Sequence, residues 1–243
     1  MRKINAFLGG ALAAAALAAA GGAAKATTFG FNFSGGCPEA CMGNAILTPG
    51  AGTLTVVLTN TQANPTSAGD LISNFEITPN GTVGSASLTS QTGGLITVTS
   101  NTGPYVTSPG PPTHWEAGTS GGQIVLDTFS GAQPINMIIG PPDGSGNYSN
   151  ANGSITNGTF SPYINGTGTF VISDAAITTD TTFASVTFTL GTRLNEVTVP
   201  GTSCTPGTPN CGSGPPVVPE PSALALIGGA LMLLGLARRR RSV

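Results

Sequence analysis

Hydrophobic and polar residues alternate along most of this chain. In "TLTVVLT", Leu54, Val56 and Leu58 fall on one side with threonines between them; in "LISNFEIT", Leu71, Phe75 and Ile77 share a side with Ser73 among them. Further on, "FASVTFTL" aligns Ala184, Val186, Phe188 and Leu190 against Ser185, Thr187 and Thr189. A period of two, with one dry and one wet face, marks strands of an antiparallel sheet. Turn formers punctuate the runs: Asn80-Gly81, Asp143-Gly144, Asn152-Gly153, Asn157-Gly158 and Asn165-Gly166, each suited to positive φ. Between residues 27 and 216 no 3.6-residue period is sustained, and the helix formers Lys, Glu, Arg and Leu are sparse. The expected fold is all-β: a two-layer antiparallel β-sandwich, jelly-roll-like, over residues 27–200, long enough to bury its own core.

The ends read differently. Arg2 and Lys3 precede an Ala/Leu-rich run, and Ala24-Lys25-Ala26 supplies an A-x-A site, so residues 1–26 read as a cleaved signal peptide with Ala24 and Ala26 at the cut. With both termini set aside, the core keeps one cation, Arg193, against nine carboxylates, a net charge of about −8. Such a surface does not neutralise a phosphate backbone, which argues against nucleic acid as a partner.

Export places the four cysteines in an oxidising compartment. Cys37 with Cys41, and Cys204 with Cys211, are close in sequence and suggest two small disulfide loops, although three connectivities exist and a four-thiolate zinc site would need the two pairs to meet. Residues 201–218, "GTSCTPGTPNCGSGPPVV", read as a Pro/Gly/Ser linker with an embedded Cys loop.

Candidate chemistry is thin. Residues 118–122 match G-x-S-x-G, but a strand-like run follows, and the single histidine, His114, lies upstream; the match reads as a glycine-rich hairpin turn. "DGSGNYS" from Asp143 resembles half a calcium loop, with Tyr148 where glycine is expected and Ser154 where the closing acid is expected. Glu116, Asp127, Asp174 and Asp180 could supply a hydrolytic carboxylate pair, though no spacing selects one. Tyr105, Trp115, Tyr148 and Tyr163 could form a sugar-stacking platform, with Trp115 equally suited to a core or turn anchor. The turn-rich residues 140–168 are long for a connector, and make Asp143, Tyr148 and Tyr163 the candidate ligand contacts of a recognition surface; a solvated connector explains them as well. No metal and no cofactor is expected.

The last 26 residues are the most specific. Val218-Pro219-Glu220-Pro221 is followed by 15 apolar or small residues over 223–237, then Arg238, Arg239, Arg240 and Arg241. As a helix the run measures about 22 Å, short of the roughly 30 Å hydrocarbon thickness, and the arginines act as a cytoplasmic stop-transfer. Pro-Glu-Pro, a short apolar helix and an Arg cluster resemble the PEP-CTERM sorting signal, also catalogued as an ice-binding-protein C-terminal domain, here over residues 219–243. The resemblance implies that Pro219, Glu220 and Pro221 are recognised by exosortase, an integral membrane protease of Gram-negative bacteria with exopolysaccharide or biofilm systems. It also implies that the helix anchors the precursor transiently in the inner membrane and that processing releases the core. The core segments "AGTLTVVLTN", "IIGPPDGSGNYSNANGSITNG" and "VTFTLGT" are similar to members of the same group, without an activity to transfer.

The expected protein is therefore a non-enzymatic cell-surface or extracellular-matrix protein with a structural or adhesive core, exopolysaccharide being a candidate partner. A secreted carbohydrate-binding module is the alternative, and an exported hydrolase the third reading.

Overall fold

The computed structural model describes residues 27–37, 41–100, 104–131 and 133–212. The expected signal peptide with Ala24 and Ala26, the motif Pro219, Glu220 and Pro221, the apolar helix and Arg238 to Arg241 lie outside them. The chain is nearly all β. Its strands are β1 (Phe29–Ser34), β2 (Met42–Gly50), β3 (Thr53–Asn60), β4 (Ile72–Pro79), β5 (Ser87–Thr92), β6 (Leu95–Val98), β7 (Tyr105–Ser108), β8 (Glu116–Ser120), β9 (Gln123–Asp127), β10 (Ile138–Ile139), β11 (Tyr163–Asn165), β12 (Thr167–Ser173), β13 (Phe183–Leu190), β14 (Val197–Pro200) and β15 (Thr202–Cys204). Among the described residues one short α-helix, α1 (Gly153–Thr156), and one 3-10 turn, Ala68–Asp70, interrupt them.

Two sheets form. The first runs β15-β1-β2-β3-β12-β5 and is antiparallel throughout. The second runs β14-β13-β4-β10-β11-β6-β7, with β9 also paired to β4 and β8 to β9. Leu54, Val56, Leu58 and Phe170 of the first sheet share one core with Phe75, Ile77, Leu126 and Phe188 of the second. Aromatic rings join the layers: Phe33 to Phe188 at 4.5 Å and Trp115 to Phe170 at 4.8 Å between centroids. Each such buried side chain contributes about 1.5–3 kcal/mol.

Two details depart from simple alternation. Register shifts between Phe183 and Ser185, so Phe183 faces the core and Ala184 is exposed, although strict alternation places Ala184 inward. A bulge adds one residue and reverses the facing of everything before it. The sheet is also not purely antiparallel, because β10 and β11 pair in parallel. Parallel neighbours need a crossover of a dozen or more residues, which explains the length of the 140–162 connection.

Both sheets carry a cover on part of their outer faces. On the second, Ile138, Ile164 and Leu95 point into the shared core, while Ile139, Tyr163 and Ile96 point outward into a second cluster with Tyr148, Ala151 and Ile155 of the crossover. On the first, Ile46 and Val57 pack outward against Cys211 and Cys204. The expected linker at 201–218 is corrected in its described part: β15 pairs with β1, and the 204–211 loop lies on the sheet instead of acting as a spacer. Ala26–Pro215 accordingly forms one compact unit. Gly30 permits this contact, since a Cβ there would collide with Cys211 Sγ.

Candidate functional site

The crossover and the strand β11 that follows it do not present their tyrosines. Tyr148 and Tyr163 are fully buried; Tyr148 donates its hydroxyl to the Gly140 carbonyl at 2.8 Å and Tyr163 to that of Ile155 at 3.0 Å. Burial raises the pKa of both hydroxyls well above the ordinary phenol value. The expected role of Tyr148 and Tyr163 as ligand contacts is therefore corrected: they hold the crossover on its sheet. Trp115 is buried too, with Nε1 donating to the Asn136 carbonyl at 2.7 Å. Of the four aromatic platform candidates, only Tyr105 keeps partial exposure, so no stacking platform exists among the described residues.

Asp143 is partly exposed, but its carboxylate is engaged. Oδ1 accepts from the backbone N–H groups of Ser145 and Asn147, both at 2.9 Å, and Oδ2 from Ser149 Oγ at 2.8 Å. The Asn147 amide and the Ser149 hydroxyl are the main reasons its pKa lies below the usual carboxylate value. These three local donors close residues 143–149 into a side-chain-to-backbone turn around the carboxylate. Asn152 likewise caps α1, accepting from Ser154 N–H at 2.8 Å, where a positive-φ turn is expected.

The hydrolytic candidates separate. Asp174 is buried and accepts from Gly84 N–H (3.1 and 3.0 Å) and Ala176 N–H (2.9 Å), and Asp180 is exposed in a turn. Glu116 and Asp127, however, sit directly opposite each other across the β8–β9 hairpin. Burial is the main cause raising the Asp127 pKa; Phe129 N–H, bonded to Oδ1 at 2.8 Å, opposes it, and the Glu116 charge adds to it. The G-x-S-x-G stretch is the turn of this hairpin: Gly121 and Gly122, with φ of 58° and 81°, join Ser120 to Gln123. No helix follows Ser120, so it is not a nucleophile elbow.

Between the edges β5 and β8 lies an open groove of about 480 Å³, lined by Leu88, Thr89, Pro111, Pro112, Glu116 and Ala117 among others. Gln91 spans it: Nε2 donates to the Trp115 carbonyl at 3.3 Å, and Trp115 N–H donates to Oε1 at 3.2 Å. An amide side chain thus takes the place of a strand partner. Neither Gln91 nor Asn74, a fully buried amide within "LISNFEIT", stands out by motif; the signal for Asn74 is an amide at an alternating position of an apolar run.

Cys37–Cys41 and Cys204–Cys211 are the two disulfides, with Cα separations of 5.7 and 5.8 Å. Bonded sulfurs have no thiolate to offer, so neither a zinc site nor the grouping of Cys37, Cys41 and Asp70 holds a metal in this state. Asp70 instead closes a capping box, Oδ2 accepting from Ser67 N–H at 2.8 Å.

Among the described residues, no helix is long and apolar enough to cross a membrane. Residues 217–241 match the family model of the PEP-CTERM protein-sorting motif. Comparison with curated proteins and with solved structures returned no match.

Proposed function

We propose that this PEP-CTERM sorting-signal protein is exported, held transiently in the inner membrane by its C-terminal helix, and processed by an exosortase-type membrane protease to a cell-surface or extracellular form. The observation that carries this reading is the motif match over 217–241, beginning five residues after Gly212, the last described residue of the folded core. The sandwich-like core acts without catalysis, as a structural or adhesive module. Its partner is a neutral exopolysaccharide, taken by the outer face of the first sheet. Supporting this is the composition of that sheet: none of its six strands contains Asp, Glu, Lys, Arg or His. Thr55, Thr59, Thr167 and Thr169 lie on that outer face, and Thr59 and Thr167 are joined by a hydroxyl bond of 3.1 Å.

Mass spectrometry of the C-terminal peptide from protein recovered outside its cells tests the sorting. A terminus near Pro219 to Pro221 is expected, whereas an intact Arg238 to Val243 tail found only in membranes overturns it. Co-sedimentation with neutral exopolysaccharide tests the core, and Thr169→Lys is expected to weaken it.

A further inference from the structure

The second sheet carries a row of polar groups that the proposed function does not use. Glu116 on β8, Asp127 on β9 and Asn74 on β4 are consecutive cross-strand partners. Their neighbours in sequence, Phe75 and Leu126, point into the shared core, so the row lies on the outer face. Asn74 is nonetheless fully buried. Its Nδ2 donates to Glu76 Oε1 at 3.3 Å and to Thr189 Oγ1 at 3.4 Å, while its Oδ1 has no partner among the described residues. Thr189 belongs to β13, on one side of β4, and Asp127 to β9 on the other. Nδ2 is thus engaged on the β13 side of Asn74, and Asp127 is the cross-strand partner of Asn74 on the β9 side.

A buried carbonyl oxygen without a donor costs about 1–3 kcal/mol. Beside it stand two carboxylates as direct neighbours, an arrangement that is destabilising without a counter-charge. Phe129 N–H occupies Asp127 Oδ1, and Oδ2 accepts no hydrogen bond among the described residues. Arg193, the one Lys or Arg among the described residues, is exposed in the β13–β14 turn. Each of these groups lacks the same thing, a positive partner that accepts only oxygen.

We propose that Asn74 Oδ1, Asp127 and Glu116 form a calcium site that ties β4, β9 and β8 together across the outer face of the second sheet. Glu76 acts as a positioning residue, holding Nδ2 so that Oδ1 faces the ion. Two carboxylates and an amide carbonyl form a hard, all-oxygen donor set, and the exposure of Glu116 with the partial exposure of Asp127 leaves room for water to complete the coordination. Calcium tolerates such an irregular shell, whereas magnesium demands near-octahedral geometry. A few protein ligands place the affinity in the range of extracellular modules, about 10⁻⁴–10⁻³ M.

The test uses the exported protein, freed of metal with EDTA, titrated with calcium chloride by calorimetry and with terbium by luminescence. Trp115, the only tryptophan, adjoins Glu116 and would sensitise terbium bound there. One site per chain is expected, with terbium emission displaced by calcium and magnesium a poor competitor. Glu116→Gln changes an exposed side chain and should weaken binding at least about tenfold, since even outer-shell partners of a metal cost that much. Asp127→Asn should abolish binding while keeping the fold, and Asp143→Asn should change nothing. Absence of binding, or equal binding by all three variants, overturns the site. Binding lost only in Asp143→Asn would also overturn it, by moving the ion to the crossover.

Discussion

The cover of the second sheet, residues 140–162, brings its own apolar cluster of Tyr148, Ala151 and Ile155, whereas the 204–211 loop on the first sheet brings little more than a disulfide against Ile46 and Val57. The longer segment buries two whole tyrosine rings and satisfies their hydroxyls internally. The shorter one cannot bury enough surface to offset the entropy of ordering it, and covalent closure reduces that entropy in the unfolded chain instead. A cover can thus be held by packing when it is long, and needs a staple when it is short.

Removing the Tyr148 ring should break the packed cover most severely. Tyr148→Ala is expected to cost about 3–5 kcal/mol in urea unfolding, with new protease cuts confined to 140–162. A loss under about 1 kcal/mol would show that the crossover is not held by packing. The stapled cover should respond less: Cys204→Ser with Cys211→Ser should cost about 2–3 kcal/mol, the chain-entropy value for so short a loop. Tyr148→Phe isolates the hydroxyl bond to Gly140 and should cost about 1 kcal/mol.

Alkali offers a test without mutation. The two buried tyrosines have folded pKa values raised above the ordinary value near 10.0, so their contribution is complete below that value and is lost as pH rises through the folded ones. Stability should fall above about pH 10, with phenolate absorbance from two tyrosines appearing only on unfolding. The smallest effect concerns the strip outside both covers. The raised pKa of Asp127 means that its stabilising contribution is full below the unfolded value near 3.8 and is lost as pH rises through the folded one. In metal-free protein at neutral pH, Asp127→Asn should therefore stabilise by a few tenths of a kcal/mol, screened because the group is half exposed. Destabilisation there would mean that the ionised carboxylate makes a favourable contact.

Features fixed within a few residues were legible from the chain alone. Period-two runs such as Leu54, Val56 and Leu58 specify strands because successive side chains alternate in direction whatever the neighbours. The paired cysteines lie within reach of each other before any tertiary contact forms. The sorting tail is a continuous stretch matched over 217–241. What depended on distant partners was not legible: the bulge that turns Phe183 inward, the parallel β10–β11 pair that makes 140–162 a crossover, and the meeting of Glu116, Asp127 and Asn74 on three strands. Tyr148 reads as exposed because its neighbours are polar, yet it is buried, since its environment comes from Ile139 and Ile96 on other elements. Facing is set locally by the two-residue period, but register and cover are set by which strands meet, and only the folded chain decides that.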